Sequence, residues 1–195
     1  LTFNMAGASL VGTNALAIRT WKGVEKQHAH NVLISNVNEI AMGGIDTRIT
    51  YSSGGSHLIR TVGYVTIVQQ GAPAQGDVRI GYIYAFADDL AGHSADVTIF
   101  GSGDVLISDG TDTGDILTHV PRPDYDRYHA GDVNVTHDGD FSVGNIETWV
   151  KGKGRIGAVM LDGGSAQGDA VVEGYIKTVV TDAERVYEQN AIEVK

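Results

Sequence analysis

Short runs in which apolar and polar residues alternate, broken every few positions by Gly, Asp, Asn or Ser, fill this chain. A period of two with turn residues between runs is the pattern of strands, because successive side chains of an extended backbone point to opposite faces. Strands are expected near 2–10, 15–24, 31–42, 47–51, 57–69, 77–86, 96–100, 105–108, 116–120, 132–136, 140–150, 155–161 and 170–180. Within 64–68, Tyr64, Thr66 and Val68 share one face while Val65 and Ile67 take the other. Within 78–84, the set Val78, Ile80, Tyr82 and Tyr84 opposes Arg79, Gly81 and Ile83. The turn-rich segment 70–76 between them predicts an antiparallel hairpin.

One local element recurs. Gly-Asp precedes an apolar residue at Val78, Val105, Ile116, Val133, Phe141 and Ala170, six times where composition alone yields about two such dipeptides. Strand entry after a turn explains the excess: Gly permits the turn, Asp bonds its own backbone, and the next residue starts the buried face. The spacings are 27, 11, 17, 8 and 29 residues, without the fixed period expected of a solenoid, which argues against that architecture.

Helix is scarce, the best candidate being 183–190, where Thr181 and Glu184 have capping-box spacing. The longest stretch without strand character, 118–129, contains Pro121 and Pro123 and is the first place to seek a contact surface. No linker or composition break divides the chain. The expectation is one all-β domain over 1–195, an antiparallel β-sandwich or jelly roll with long loops and at most one short helix, and with 1–10 as an edge or exchanged strand.

The 24 acidic residues outnumber 14 basic ones, for a net charge of −10, and no Lys/Arg run offsets the repulsion from phosphate backbones. Nucleic acid is therefore not an expected partner. With no Cys, disulfides, thiolate catalysis and Cys-ligated metals are excluded. No run of about 18 apolar residues is present to span a bilayer as a helix. Leu1 reads as the first residue of a processed or shortened chain, consistent with export.

Two imidazoles of His28-Ala29-His30 would share a strand face, and Glu39 or His57 would be needed to complete a metal set. A cupin-like arrangement places its Glu closer to the second His than Glu39 lies, and the segment Gly114-Asp115-Ile116-Leu117 lacks the matching His. Calcium is better supported: Asp109, Asp112, Asp115, Asp138 and Asp140, with Asp124, Asp126 and Asp132 among them, supply hard oxygen ligands on loops. Turn Asp residues satisfying their own backbone explain the same cluster without an ion, and the spacing is not that of an EF-hand. Gly-x-Ser-x-Gly does not occur, and Lys151-Gly152-Lys153-Gly154-Arg155 lacks the ending of a phosphate loop. No catalytic constellation emerges, and the chain reads as a protein without enzymatic activity. The alternation of Leu1, Phe3 and Met5 with Thr2 and Asn4 suits an edge strand or an arm into a neighbouring subunit.

In size, strand number and composition the chain resembles single jelly-roll coat proteins of icosahedral viruses. That resemblance implies a self-assembling capsid subunit, in a virion, whose partners are copies of itself or other coat proteins. It would make contacts through Leu1, Phe3, Met5, Pro121, Pro123, Tyr125 and Tyr128, and need no cofactor beyond the calcium considered above. A second resemblance, to TasA-like extracellular fibre subunits, implies a filament built by donor-strand exchange. The third reading, from a different class, is a cupin-like metal enzyme or a carbohydrate-binding β-sandwich.

Overall fold

A computed structural model describes residues 1–12, 17–22, 29–50, 60–69, 76–88, 92–108, 111–121, 128–151, 154–164, 168–181 and 192–195. Three parallel sheets dominate it. Sheet A stacks seven strands in chain order: Thr2–Asn4, Val32–Val37, Val65–Gln69, Val97–Gly101, Val133–His137, Val159–Asp162 and Ile192–Val194. Sheet B stacks six: Leu10–Val11, Ile40–Met42, Val78–Ile80, Val105–Ile107, Phe141–Val143 and Ala170–Val172. The six strands of sheet C are Ala17–Lys22, Gly44–Thr50, Ile83–Asp88, Ile116–Val120, Ile146–Lys151 and Ile176–Thr181. The chain visits A, B and C in turn and returns to A one step along the axis, so each strand pairs with its equivalent in the next coil. This architecture is a parallel β-helix. On the return from C to A, Arg60–Thr61 pairs with Gly92–His93 and Tyr128–His129 with Gly154–Arg155, making a short fourth wall.

The expected antiparallel sandwich is thus overturned, and so is the argument against a solenoid. Period-two alternation and Gly-rich turns are common to both architectures; only the partner of each strand separates them. Here the turns bend the chain through a corner into the next sheet instead of reversing it. Val65–Gln69, Val78–Ile80 and Ile83–Asp88 lie in sheets A, B and C, so the hairpin expected across 70–76 does not form. Equivalent residues Val32, Val65, Val97, Val133, Val159 and Ile192 are 33, 32, 36, 26 and 33 positions apart. Loops of varying length spoil the sequence period, while the sheets keep register. Several expected strands also hide a corner. Gly81-Tyr82 splits 77–86, and Gly144-Asn145 splits 140–150, which is why Ile80 and Ile83 both point inward although alternation puts them on opposite faces. The expected helix at 183–190 lies outside the described residues. No helix among the described residues is long and apolar enough to cross a membrane.

Inside, like stacks on like. The valines named above line one column. Ile34, Ile67, Ile99, Val135 and Leu161 line the next, and Ile45, Ile83, Ile116 and Ile146 form a third from sheet C; all are buried. A second, smaller core of Ile49, Val62, Ala87, Val120, Val150 and Ile156 fills the space between sheet C and the fourth wall. Buried threonines mark the division. Thr118 Oγ1 donates to the Gly131 carbonyl at 2.8 Å and Thr148 Oγ1 to that of Gly157 at 2.9 Å, satisfying hydroxyls that face the interior.

All six Gly-Asp pairs occupy corners, and at Asp104, Asp115, Asp132 and Asp140 the side chain accepts from the following coil and not from its own turn. At the entry to sheet B, Asp104 Oδ1 accepts the backbone N–H of Asp140 at 2.9 Å, and Asp140 Oδ1 accepts that of Asp169 at 3.0 Å. Entering sheet A, Asp96 Oδ1 accepts from Asp132 N at 2.9 Å and Asp132 Oδ1 from Ala158 N at 2.7 Å. At the sheet C corner Asp115 Oδ1 accepts from Asn145 N at 2.9 Å and Asn145 Oδ1 from Tyr175 N at 3.1 Å. Each of these side chains therefore holds the next coil, and a hydrogen bond of this kind to a charged group is worth about 1.5–3 kcal/mol. Burial raises the Asp96 carboxyl pKa, against the opposing effect of the Asp132 N–H. Asp132→Ala is expected to lose about 1.5–3 kcal/mol in urea unfolding, and Asp132→Asn less than about 1 kcal/mol, since an amide oxygen does the same work at Asn145. Equal losses in the two variants would show that the accepted hydrogen bond is not what the position supplies.

Candidate functional site on the outer face of sheet C

Register across sheet C lines up its outward side chains in rows two residues apart, about 6.6 Å along the strands, with steps of about 4.8 Å between strands. The first row, at the corner, runs Tyr82, Asp115, Asn145, Tyr175. Asp46, Tyr84, Leu117, Glu147 and Lys177 make the second. The third is Arg48, Phe86, His119 and Trp149. Alternation dictates this presentation: the intervening Ile, Ala, Thr and Val residues face the core.

Rings in the third row touch in succession. The Arg48 guanidinium lies 5.2 Å above the Phe86 centroid, Phe86 is 5.7 Å from His119, and His119 meets Trp149 edge-on at 5.3 Å. These separations suit mutually attracting rings and a cation over a ring face. Tyr82 and Tyr84 add a pair at 4.6 Å. A Cβ at Gly44 would fall about 2.5 Å from the Tyr82 ring, so a side chain there would displace that ring.

Acceptors accompany the rings. Asp46 is only 5% exposed; its Oδ2 is 3.3 Å from Arg48 Nη2, and its Oδ1 accepts no hydrogen bond among the described residues. Tyr175 donates its hydroxyl to Glu147 Oε2 at 3.2 Å, and His119 Nε2 stands 3.6 Å from the same oxygen. Burial lowers the His119 pKa, with Glu147 working against it. The Tyr84 phenol is pushed up by burial first, then by Asp115, Tyr82 and Asp46. Burial thus favours the neutral imidazole at His119 and the protonated phenol at Tyr84.

The residues singled out from sequence are scattered over the helix. Asp115 and Asp140 serve different corners, and the Asp112 carbonyl accepts the Ser108 hydroxyl in the loop before Asp115. Asp138 lies beside Gly164 at the corner from A to B. Among the described residues no three of His, Cys, Asp and Glu stand together as a metal ion would require. Asp109, Asp124, Asp126, His28, His57, Pro123 and Tyr125 lie outside the described residues; His30 is exposed and Glu39 occupies a corner. Pro121 directly follows a sheet C strand, and Tyr128 enters the fourth wall. Leu1 is exposed, while Phe3 and Met5 pack on the core beside the edge strand Thr2–Asn4, which pairs with Val32–Val37 of its own chain.

Phe86, His119 and Trp149 escaped sequence reasoning because nothing local joins them. Their signal is shared phase: each is the fourth residue of its sheet C strand. Searches against models of protein families, curated proteins and solved structures find no match to this chain.

Proposed function

We propose that the outer face of sheet C binds an extended, uncharged carbohydrate chain and holds it without cleaving it. The observation that carries this reading is the unbroken row Arg48, Phe86, His119, Trp149 across four neighbouring strands. Sugar rings offer C–H faces that pack on aromatic rings, and hydroxyls that donate to a carboxylate such as Glu147. A pyranose spans roughly one strand spacing of about 4.8 Å, so successive sugars can follow the row. Stacking would equally suit single-stranded nucleic acid, but the net charge of −10 disfavours a phosphate backbone. Asp46 and Glu147 stand three strand steps apart, about 14 Å, beyond the roughly 5–9.5 Å between the two carboxylates of glycoside hydrolases. Asp115 is nearer Glu147, but its Oδ1 is taken by the backbone and side-chain N–H groups of Asn145, so it serves the corner and not a reaction. An extracellular or virion-borne protein is where such a role would be used.

Affinity electrophoresis through gels carrying neutral glucans, mannans, galactans or polyuronates tests the reading. At least one neutral polymer should retard the protein, and Phe86→Ala or Trp149→Ala should each weaken retardation by about 5–30-fold, the equivalent of about 1–2 kcal/mol for one stacking ring. Failure of every neutral polymer to retard it, or retardation indifferent to both substitutions, would sink the proposal. Release of new reducing ends would refute the absence of cleavage.

A further inference from the structure

In the row Arg48, Phe86, His119, Trp149, His119 is the one group that gains charge in mild acid. Two rings enclose it, Phe86 at 5.7 Å on one side and Trp149, edge-on, at 5.3 Å on the other. Its Nε2 is covered and has no hydrogen-bond partner among the described residues. Glu147 Oε2 stands 3.6 Å away, just outside hydrogen-bonding distance, and already accepts the Tyr175 hydroxyl at 3.2 Å. Tyr84 lies diagonal to His119 on the strand Ile83–Asp88, and the exposed Lys151 lies diagonal to it on Ile146–Lys151. Beyond Glu147 come Tyr175 and Lys177, whose Nζ is 5.8 Å from the Tyr175 ring. On the side of Phe86, Arg48 and Asp46 face each other at 3.3 Å, and Asp115, at the start of the His119 strand, is held by Asn145. Among the described residues Glu147 is the only carboxylate within 4 Å of the imidazole.

We propose that sheet C releases its carbohydrate in acid: a proton taken up at His119 Nε2 draws Glu147 onto the imidazolium and turns the centre of the stacking row into a cation. This rests on the carbohydrate reading above. The geometry leaves the charged ring one partner. An imidazolium N–H shut off from water must be paired, and shortening the 3.6 Å gap to the length of a charge-assisted bond, about 2.8 Å, moves Glu147 Oε2 onto Nε2. That oxygen is then lost to a sugar hydroxyl. The ring itself changes too: sugar C–H groups pack on the electron-rich face of a neutral ring, and a cationic ring offers no such face. Both effects weaken binding. Burial first, with Glu147 opposing it, lowers the His119 pKa from its ordinary value of 6.5. Above that value the imidazole is neutral and the row is open to sugar; release comes as the pH falls below it. By reciprocity, a polymer that prefers the neutral form holds the proton off and moves the titration lower still.

Affinity electrophoresis through gels carrying neutral glucans, mannans or galactans, run at about pH 8 and again at about pH 5, above the usual carboxylate range, tests this, with circular dichroism at both values as the check on folding. Retardation of the unmodified chain should weaken about 5–30-fold between the two, the loss expected of one stacking ring. His119→Phe keeps a ring and removes the proton, so its retardation should change less than about twofold over the same interval, whatever its affinity at the higher pH. If that variant does not fold, His119→Gln takes its place. NMR titration of the His119 ring protons should give a midpoint that saturating polymer moves to lower pH, as Glu147→Gln does in the free protein by removing the partner of the imidazolium. Equal retardation at both values, or a His119→Phe variant that loses it in acid as the unmodified chain does, overturns the proposal and leaves the carbohydrate reading standing. A midpoint indifferent to polymer or to Glu147→Gln, or a chain that unfolds before it releases the polymer, overturns it as well. If no neutral polymer retards the protein at the higher pH, the carbohydrate reading falls and this inference falls with it.

Discussion

Gly131→Val is expected to abolish the cooperative thermal transition of this protein. A side chain at Gly131 would enter the Ala95 carbonyl in the coil beneath, and the backbone has nowhere to retreat. Val97 N donates to the Asp132 carbonyl at 2.8 Å, Asp132 N to Asp96 Oδ1 at 2.9 Å, and Val133 N to the Ala158 carbonyl at 2.8 Å, so displacing 131–133 breaks bonds to the coils on both sides. Overpacking in an adaptable core costs about 1–3 kcal/mol, and a clash with backbone fixed on two sides should exceed that range. Gly7 makes a useful contrast. It has φ of +86° and, its chain neighbours aside, no atom of the described residues within 4 Å of where a Cβ would stand, so Gly7→Ala should cost only about 1–2 kcal/mol of left-handed backbone strain. Comparable melting of the two variants would show that close approach of the coils is not the reason for glycine at 131.

Phe141→Ala should be the most damaging single truncation in the core. Phe141 is the largest fully buried side chain among the described residues, sits in the column Val78, Val105, Phe141 and Ala170, and stacks on His137 at 5.5 Å. Its neighbours cannot close the gap: the strands on either side are held in register, and His137 is tied by Nδ1 to the Gly139 carbonyl at 2.6 Å. The loss should be about 3–5 kcal/mol, or about 6–20 °C in Tm for a chain of this size. Phe141→Leu should recover more than half of it. A Tm within about 2 °C of the unmodified protein for the alanine variant would mean that the column does not support the fold as described.

These two positions also illustrate how far the amino-acid order can be read. Strand content was legible because alternation is a local property: Val65 and Ile67 are inside and Tyr64, Thr66 and Val68 turned outward, as the period requires. Gly131-Asp132 and its five equivalents were legible as strand entries for the same reason. That Asp132 serves Ala158, 26 residues away, was not, since an Asp that bonds its own turn and one that bonds the next coil look identical in sequence. The corner at Gly81 left a weak trace, an isolated Gly inside a strand pattern, which usually signals a bend or a close backbone approach. No trace marked the row Phe86, His119, Trp149, whose members are 33 and 30 positions apart.

Alone, then, the sequence determined that the chain builds short strands with one apolar face, enters many of them through Gly-Asp corners, and carries a net charge of −10. Only the tertiary structure decided whether those strands reverse on their neighbours or climb in coils, and with that which outward side chains become a continuous surface. The physical reason is range. Alternation and turn preference are set by contacts within a few residues, whereas the partner of a strand is chosen by burial and hydrogen bonding between segments some 30 residues apart, separated by loops of unequal length that erase the period.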